Sequence, residues 1–385
     1  MANSEKNNAE KFFNQNVKRI GYSKIEISPF VDFYIEEPDP IFGCYANRGF
    51  YIRRESEEEY WVLRNKSVLY DVPEKPIQIE GPDSVEFLER ILARPISTLK
   101  EGRGRYAIAC THDGGVFMDG IVFKISDQKY WYVQADGEFE TWLLAHSGDF
   151  DVDVFDPKSW VLQVQGPTSL EVMKAATNNA VNKNIGCFHS GFFDIGGQSL
   201  YISRTGWTGE LGFEIYTQRD TNHKKLWFDL LDAGKAHGMV VGIDGSMNIR
   251  RVEAGILNNG SDMDMSITPF EAGLGPFIDF ENETFIGRNA LINAQREPSL
   301  YGVICNEATP TFNDEILQGE EIVAKVRTGT WSPELKSGIG YVQFLSPGQW
   351  VGENYILKTG NGNYPCRIKS LPFFDEDKLI PRGLI

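Results

Sequence analysis

The chain has 385 residues and a formal net charge of −16, from 38 Lys and Arg against 54 Asp and Glu. At roughly 100–200 residues per domain, this length predicts two or three domains. The 41% share of hydrophobic residues is typical of a folded chain and excludes a mainly disordered one. Because an acidic chain repels phosphate backbones and anionic lipid headgroups, nucleic acid and membrane surfaces are excluded as expected partners.

The N-terminus, cysteines and histidines predict the compartment and the metal content. No apolar run approaches the roughly 18 residues that span a bilayer, and residues 1–16 are polar, without the apolar core of a signal peptide. The five cysteines are isolated and never spaced as CxxC, and the five histidines show no paired metal-ligand spacing. We therefore expect reduced thiols, a cytoplasmic location and no metal site.

The first fifty residues contain prolines, which disfavour helix because proline lacks an N–H donor and restricts the residue before it. Pro29, Pro38 and Pro40 punctuate this segment, so extended or loop structure is predicted there, as an irregular N-terminal extension over residues 1–50. A helix is predicted next, over residues 57–69, from side chains that repeat at three- and four-residue spacing.

An internal repeat follows the predicted helix. Residues 77–91 and 162–176 both read as a short strand, a Gly-Pro turn and a helix whose first turn is capped by an Asp, Ser or Thr side chain. The repeat predicts two related strand–helix units packed on one composite sheet.

The rest of the chain is rich in strands. Residues 105–125 and 191–217 each predict a hairpin with glycine in its turn. Three further helices are predicted, at about residues 222–233, 244–256 and 287–295. Beyond residue 300, short strands about ten residues apart alternate with Gly, Pro and Asn turns, which indicates a small antiparallel barrel.

The segment from Arg204 to Glu214, RTGWTGELGFE, is the densest chemical feature. Its three glycines permit close backbone approach to a flat or phosphate-like group, but a strand follows instead of the helix that a dinucleotide fingerprint requires. A carboxylate (Glu214) near an indole (Trp207) is suited to a heterocycle that presents paired N–H donors. The alternative is a tight turn with a solvent-facing glutamate.

Three other positions have candidate chemistry, each with an ordinary structural alternative. Arg250 and Arg251 offer forked donors suited to a carboxylate ligand, or they form an ordinary ion pair with a nearby glutamate. Asp119 enters a hydrophobic strand, which favours a perturbed pKa, although turn-capping aspartates are commoner. Tyr106 lines a pocket or lies in the core or at its rim.

These segments resemble, in the same order, the tetrahydrofolate-binding aminomethyltransferase family, whose founding member is the T-protein of the glycine cleavage system. RTGWTGELGFEIY is similar to the family's Arg-Thr-Gly-Tyr-Thr-Gly-Glu signature. The similarity continues through LQVQGPTSLEVM, RRVEAG, FIGRNAL and TGTWSPELKSGIGYV, over about residues 55–375. It implies an α+β fold with a bipartite folate-binding region of ferredoxin-like strand–helix units over 51–298 and a C-terminal antiparallel β-barrel over 299–385, with folate in a central hole.

The resemblance also implies a cofactor, tetrahydrofolate, and the residues that hold it. Glu214 matches the glutamate that hydrogen-bonds the pterin, and Trp207 stands where most members have tyrosine. Arg251 matches the arginine that meets the p-aminobenzoyl-glutamate end, and Tyr106 matches a tyrosine of the pocket.

Two departures from the T-protein pattern concern the one-carbon donor. Met118-Asp119 stands where T-proteins have two aspartates, and Met247-Asn248 stands where they have an Arg-Asp pair. A methionine wall is apolar and polarisable, which favours transfer of an intact methyl group. Glu59-Tyr60-Trp61-x-Leu63-Arg64 and the later PFEAGLG look more like the folate-dependent demethylase branch, which includes dimethylsulfoniopropionate and aryl methyl ether demethylases. Such an enzyme moves a methyl group from a small S-, N- or O-methylated donor to N5 of tetrahydrofolate.

In that interpretation Asp119 is the catalytic residue, which orients N5 or balances charge. The donor is lined by Met118, Trp207, Tyr45 and Phe117, the aromatic rings making cation–π contact with a cationic methyl group. Two alternatives stay open. One is a T-protein, whose acidic surface meets a lipoylated carrier protein, and the other is a folate-binding protein without transferase activity.

Overall fold

The computed structural model describes residues 17–20, 23–35, 40–52, 56–134, 136–352 and 354–385. These residues contain seven α-helices: α1 (Glu57–Asn65), α2 (Ser84–Ile91), α3 (Phe139–His146), α4 (Ser169–Ala176), α5 (His223–Lys235), α6 (Asp244–Glu253) and α7 (Arg288–Ile292). Their strands form three open sheets and one closed barrel. The fold is α+β, as predicted.

The N-terminal segment forms a four-stranded sheet in the order β1-β2-β4-β3. Its strands are β1 (Val17–Ile20), β2 (Ser23–Ile27), β3 (Phe42–Tyr45) and β4 (Arg48–Tyr51). Extended structure, one of the two predicted possibilities, is found, but the segment is not irregular over these residues, because proline disfavours helix without preventing paired strands. Residues 1–16, 21–22 and 36–39 of that prediction lie outside the described residues.

Two larger sheets form the centre of the molecule. The five-stranded sheet has the order β10-β6-β9-β8-β7, with β6 (Lys75–Glu80), β7 (Arg103–Cys110), β8 (Val116–Ser126), β9 (Lys129–Gln134) and β10 (Asp153–Phe155). The six-stranded sheet has the order β12-β13-β14-β11-β5-β15, with β5 (Val68–Val72), β11 (Val161–Gln165), β12 (Ser190–Ile195), β13 (Gln198–Ser203), β14 (Gly212–Tyr216) and β15 (Val240–Val241). The hairpins β7–β8 and β12–β13 confirm the two predicted hairpins.

Helices cover one face of each large sheet. Phe87 and Leu88 of α2 and Leu143 of α3 are buried against the five-stranded sheet. Met173 of α4 and Trp227 of α5 are buried in the same way against the six-stranded sheet. Each of these apolar stripes recurs at helical spacing, which is why the segments fold as helices on a sheet rather than as further strands.

The other faces of the two sheets pack on each other. Phe123 and Trp131 of the five-stranded sheet meet Tyr201 and Tyr216 of the six-stranded sheet, with ring centroids 5.4–5.9 Å apart. Burying side chains of this size contributes about 1.5–3 kcal/mol each. The centre is thus four layers deep, in the order helices, sheet, sheet, helices, and strand alternation decides which side chains face the space between the sheets.

The internal repeat corresponds to two strand–helix units, β6–α2 and β11–α4. They lie in different sheets, so the prediction of one composite sheet is wrong. Asp83 and Thr168 precede the helices without capping them through their side chains. The Thr168 hydroxyl instead donates to Ser67 Oγ at 2.9 Å, and Asp83 Oδ2 accepts from the amide of Asp151 at 2.8 Å. These two side chains therefore make tertiary hydrogen bonds instead of capping the helices as predicted.

The C-terminal strands close into an antiparallel barrel in the order β16-β19-β18-β17-β20-β21, as predicted. Its strands are β16 (Leu300–Cys305), β17 (Glu315–Gln318), β18 (Glu321–Ser332), β19 (Ser337–Phe344), β20 (Asn354–Thr359) and β21 (Gly362–Lys369). The Tyr341 hydroxyl of the barrel donates to the carbonyls of Arg251 and Ile256, at 3.2 and 3.1 Å. The barrel therefore supports the end of α6. The predicted domain limits at 50 and 298 remain predictions.

A substitution at Gly166 tests the turn that joins β11 to α4. Its φ is +118°, and a Cβ there would lie 2.8 Å from the carbonyl oxygen of Leu63. We expect Gly166→Ala to lower the free energy of unfolding by about 2 kcal/mol or more, because both the φ and the contact oppose a side chain. Urea denaturation measures this. Gly148→Ala, whose added methyl group meets nothing within 4 Å, is the control, and equal losses in both variants would contradict the expectation.

Candidate functional site

Two buried carboxylates lie on the inner faces of the stacked sheets. Asp119 of β8 is 7% exposed and Glu214 of β14 is 3% exposed. On β8 the inner face is the one that carries Ile121 and Phe123, and on β14 it is the one that carries Tyr216. Because alternate residues share a face, Asp119 and Glu214 both face the space between the sheets.

Glu214 accepts several hydrogen bonds on one oxygen. Thr205 Oγ1 and the Tyr216 hydroxyl donate to Oε2 at 2.5 and 2.6 Å, and Ser203 Oγ donates at 3.3 Å. Burial raises the pKa of Glu214, and these donors only partly oppose the rise. The alternative of a solvent-facing glutamate is therefore wrong.

A second carboxyl, Glu74, accompanies Glu214. Gln163 Nε2 donates to Glu214 Oε1 and to Glu74 Oε1, at 3.1 Å in each case. Burial, and then the neighbouring charge of Glu214, raises the pKa of Glu74 well above its usual range. Glu74 Oε2 and Gln163 Oε1 are inaccessible to solvent and have no hydrogen-bond partner among the described residues. The cluster thus presents acceptors that a ligand with N–H donors would satisfy.

The glycine loop is built around a side chain of the protein itself. A Cβ on Gly206 or Gly212 would clash with the side chain of Gln165. Gln165 Oε1 accepts from Thr208 Oγ1 at 2.9 Å, and Gln165 Nε2 donates to the carbonyl of Thr205 at 3.2 Å. The interpretation that these glycines admit a flat or phosphate-like ligand is therefore wrong, because they admit Gln165.

Arg250 belongs to a buried structural network. Its Nε donates to Glu210 Oε1 at 2.7 Å, and its guanidinium lies 4.4 Å from the centre of the Phe374 ring. Arg64 of α1 also donates to Glu210, and Glu253 Oε2 lies 3.5 Å from Arg250 Nη1. The ion-pair alternative holds for this arginine, which ties the glycine loop to α6 and to the C-terminal segment.

Arg251 is held on the opposite side of α6. Its Nη1 donates to Asp262, and its Nε donates to Asn248 Oδ1 at 3.0 Å. The guanidinium lies 5.1 Å from the centre of the Trp207 ring. The structure therefore brings together Arg251 and Trp207, two predicted ligand residues, but Asp262 already neutralises the arginine.

Asp119 and Tyr106 form a pair across the β7–β8 hairpin. The Tyr106 hydroxyl donates to Asp119 Oδ2 at 2.9 Å, whereas Oδ1 is buried without a partner among the described residues. Burial raises the pKa of Asp119 to about 6, although the hydrogen bond from Tyr106 opposes the rise. Asp119 is thus not a turn cap, and it titrates near neutral pH with one oxygen available.

Tyr45 reaches this site from the N-terminal sheet. Its hydroxyl donates to Asn258 Oδ1 at 3.0 Å. Burial, followed by the charges of Asp119 and Glu74, raises its pKa well above the usual range. The charges of both carboxylates thus act on the Tyr45 hydroxyl, which places Tyr45 near the site.

Met118 and Phe117 do not lie where the sequence placed them. A bulge opposite Cys110 interrupts the β7–β8 pairing at this point. Met118 is 1% exposed in the core beneath α3, and Phe117 stacks on Trp142 with centroids 4.3 Å apart. The prediction that they line the donor beside Asp119 is therefore wrong, because both side chains pack towards α3.

Glu74 and Gln163 are the site residues that the sequence did not identify. Gln163 stands within the recognised LQVQGP segment, but only the pairing of β11 with β14 places it opposite Glu214. Glu74 follows a strand and carries no motif. Among the described residues, no group of three or more His, Cys, Asp or Glu is placed to hold a metal. No helix among the residues that the structure describes is long and apolar enough to cross a membrane.

Known proteins share both sequence and fold with the chain. Residues 41–282 match the family model described as the GCVT N-terminal domain. An aminomethyltransferase from Clostridium botulinum (strain Okra / Type B1) is 31% identical over 319 residues, which cover 78% of this chain and 84% of the relative. An aminomethyltransferase from Caldanaerobacter subterraneus subsp. tengcongensis is 32% identical over 294 residues, covering 73% and 78%.

One solved structure extends the likeness to the fold. The crystal structure of glycine cleavage system aminomethyltransferase T from Bartonella henselae matches with a TM-score of 0.81 and 23% identity, covering 91% of this chain and 99% of that one. The match confirms the predicted fold, with its bipartite region and terminal barrel.

Because the pKa of Asp119 is raised, we expect that removing its charge stabilises the folded protein by an amount that depends on pH. Between about pH 4 and pH 6 folding takes up a proton at this carboxyl, so the stability of the wild type falls as pH rises through that window. We expect Asp119→Asn to unfold with a free energy about 1–3 kcal/mol higher than wild type at pH 8, the gain vanishing near pH 4. Denaturant titrations at both pH values test this. Asp149→Asn, at an exposed carboxyl, is the control, and a gain independent of pH would contradict the expectation.

Proposed function

Because the chain belongs to the aminomethyltransferase family of tetrahydrofolate-dependent enzymes, we propose that the site between its two sheets transfers a one-carbon group from a donor to N5 of tetrahydrofolate. Our finer proposal is that the group is a methyl and the donor a small methylated cation. The observation that supports the site is a set of buried acceptor atoms without protein donors: Glu74 Oε2, Gln163 Oε1 and Asp119 Oδ1.

These acceptors fit the pterin of tetrahydrofolate. A pterin presents ring N–H and amino donors along one edge, and a buried acceptor left without a donor costs about 1–3 kcal/mol. Glu214, Glu74 and Gln163 would hold this edge. Since burial raises the pKa of both carboxyls, a bound donor edge would also stabilise the charge that burial disfavours.

Asp119 is suited to the transfer itself. When bound, tetrahydrofolate supplies the nucleophilic N5, which takes the methyl carbon while the donor heteroatom keeps the bonding electron pair and leaves neutral. Tyr106 fixes Oδ2 of Asp119, so Oδ1 stays available to take up the proton that an amine loses as it becomes positively charged. A base with a pKa of about 6 is ionised at neutral pH and still basic enough for this role.

The charges around the site favour a cationic donor. Asp119, with a pKa of about 6, is ionised at neutral pH and pairs with no cation among the described residues, while Asp262 already pairs with the nearby Arg251. An unbalanced negative field attracts a sulfonium or quaternary ammonium group and holds its methyl carbon near N5. Trp207 and Tyr45 supply ring surface for a cationic methyl group.

Transfer of an aminomethyl group from a lipoylated carrier protein is the second candidate. It is supported by the relatives named aminomethyltransferase at 31–32% identity. The products separate the candidates, because methyl transfer gives 5-methyltetrahydrofolate, whereas the carrier reaction gives the 5,10-methylene form together with ammonia.

Removing either pterin acceptor should weaken folate binding. We expect Glu214→Ala and Glu74→Ala each to lower the affinity for tetrahydrofolate by about tenfold or more, since each deletes a buried partner of the ring donors. Calorimetric titration measures the loss, and thermal unfolding checks that the variants fold. Glu320→Ala, at an exposed glutamate of the barrel, is the matched control. Unchanged affinity in the two site variants would mean that the pterin binds elsewhere.

Assays with small methyl donors test the finer proposal. With a sulfonium or quaternary ammonium donor, the wild type should form 5-methyltetrahydrofolate at a rate that falls below about pH 6, as Asp119 becomes protonated. Asp119→Asn should lower kcat by about 100-fold and abolish that pH dependence. Formation of the methylene form and ammonia with a lipoylated carrier, and no product from any small donor, would favour the second candidate.

A further inference from the structure

A basic cleft lies outside the site, where the edges of the two large sheets meet. The isolated bridge between Arg103 and His189 joins the edge strands β7 and β12, and the Gly104 amide donates to the carbonyl of Phe188 at 2.7 Å. The cleft has a volume of about 830 Å³. Its lining has one acidic residue, Glu101. Four lining residues are cationic: Arg94, Lys100, Arg103 and Arg105.

These cations are only partly balanced by the surrounding protein, since the charge of Asp279 raises the pKa of Arg94 and of Arg105 against the lowering by burial. None of the ion pairs found in the described part of the chain includes any of the four. After burial, the charge of Arg105 lowers the pKa of Arg94, which indicates that the two guanidinium groups are neighbours. In a chain of net charge −16, such a cluster is a local attractor for an anion.

One residue forms a wall shared by the cleft and the site. The Tyr106 hydroxyl donates to Asp119 at 2.9 Å, while its carbonyl accepts from Arg94 Nη1 at 3.0 Å. Its ring packs on Phe277, another residue of the cleft, with centroids 4.8 Å apart. The cleft therefore begins where the Asp119 side of the site ends.

We propose that this cleft binds the γ-linked oligoglutamate tail of the folate coenzyme, a chain that adds one carboxylate with each residue. The proposal rests on the proposed function, because the tail follows from a folate bound between the sheets. Arg251, the expected partner of the anionic end, already donates to Asp262 and Asn248. Among the cleft cations, Arg94 and Arg105 each use one nitrogen, Nη1, to donate to neutral oxygens of the protein. Their other N–H groups, together with Lys100 and Arg103, can pair with successive carboxylates.

The length dependence of folate affinity tests this proposal. Tetrahydrofolate monoglutamate and its triglutamate are titrated calorimetrically into wild type and into a Lys100→Gln/Arg103→Gln variant. Within the described residues, the side chains of Lys100 and Arg103 make no hydrogen bond and no ion pair, so replacing them should not disturb the fold. The matched control, Lys325→Gln/Arg367→Gln, removes the same charge from exposed positions of the barrel.

We expect wild type and the control to bind the triglutamate about tenfold more tightly than the monoglutamate, an advantage that salt weakens. In the cleft variant the ratio of the two affinities should fall towards one. Equal affinities for both ligands in wild type, or a ratio that the cleft variant retains, would overturn the proposal while leaving the folate site intact. A cleft variant that binds both folates like wild type but reacts poorly with an acidic carrier protein would also overturn the proposal, because the cleft would then be a docking surface for that protein. Failure of the monoglutamate to bind would instead refute the proposed function, on which the proposal depends.

Discussion

Phe123 and Trp131 pack against Tyr201 and Tyr216 between the two large sheets, and the site depends on this contact. It holds two sheets face to face, so that alternate side chains of each strand enter a shared, water-poor space. A polar side chain on these faces is buried whether or not the protein supplies a partner. Two strands, rather than flexible loops, therefore position Asp119 and Glu214, and the geometry of these two carboxylates is set before a ligand arrives.

Burial of several carboxyls in one space has an energetic consequence. Glu74 and Glu214 share a single donor, Gln163 Nε2, and burial raises the pKa of both. Asp119 has one satisfied oxygen and one unsatisfied oxygen. Folding alone would be better served by apolar side chains at these positions. Such a concentration of unsatisfied acceptors is typical of a site whose missing donors belong to a ligand.

Surface charge and site charge act on different parts of the proposed reaction. The negative field between the sheets favours a cationic methyl donor, whereas the basic cleft beyond Tyr106 favours an anionic tail. Tyr106 contacts both regions through opposite ends of the same residue. One folded unit can thus hold a neutral, donor-rich ring, a cation and a polyanion in separate places, because a few ångströms of buried protein separate fields of opposite sign.

The sequence by itself determined the local structure, since the strand–helix repeats, both hairpins and the barrel follow from periodicity and turn chemistry. It also singled out Glu214, beside the glycine loop, and Asp119, entering an apolar strand, as candidate site residues. Only the tertiary structure decided what each side chain meets. The packing of α3 on one face of β8 put Met118 in the core, on the face opposite Asp119, Gln165 filled the glycine loop, and Gln163 joined Glu74 to Glu214. Such contacts join residues far apart in the chain, and local spacing contains no record of them.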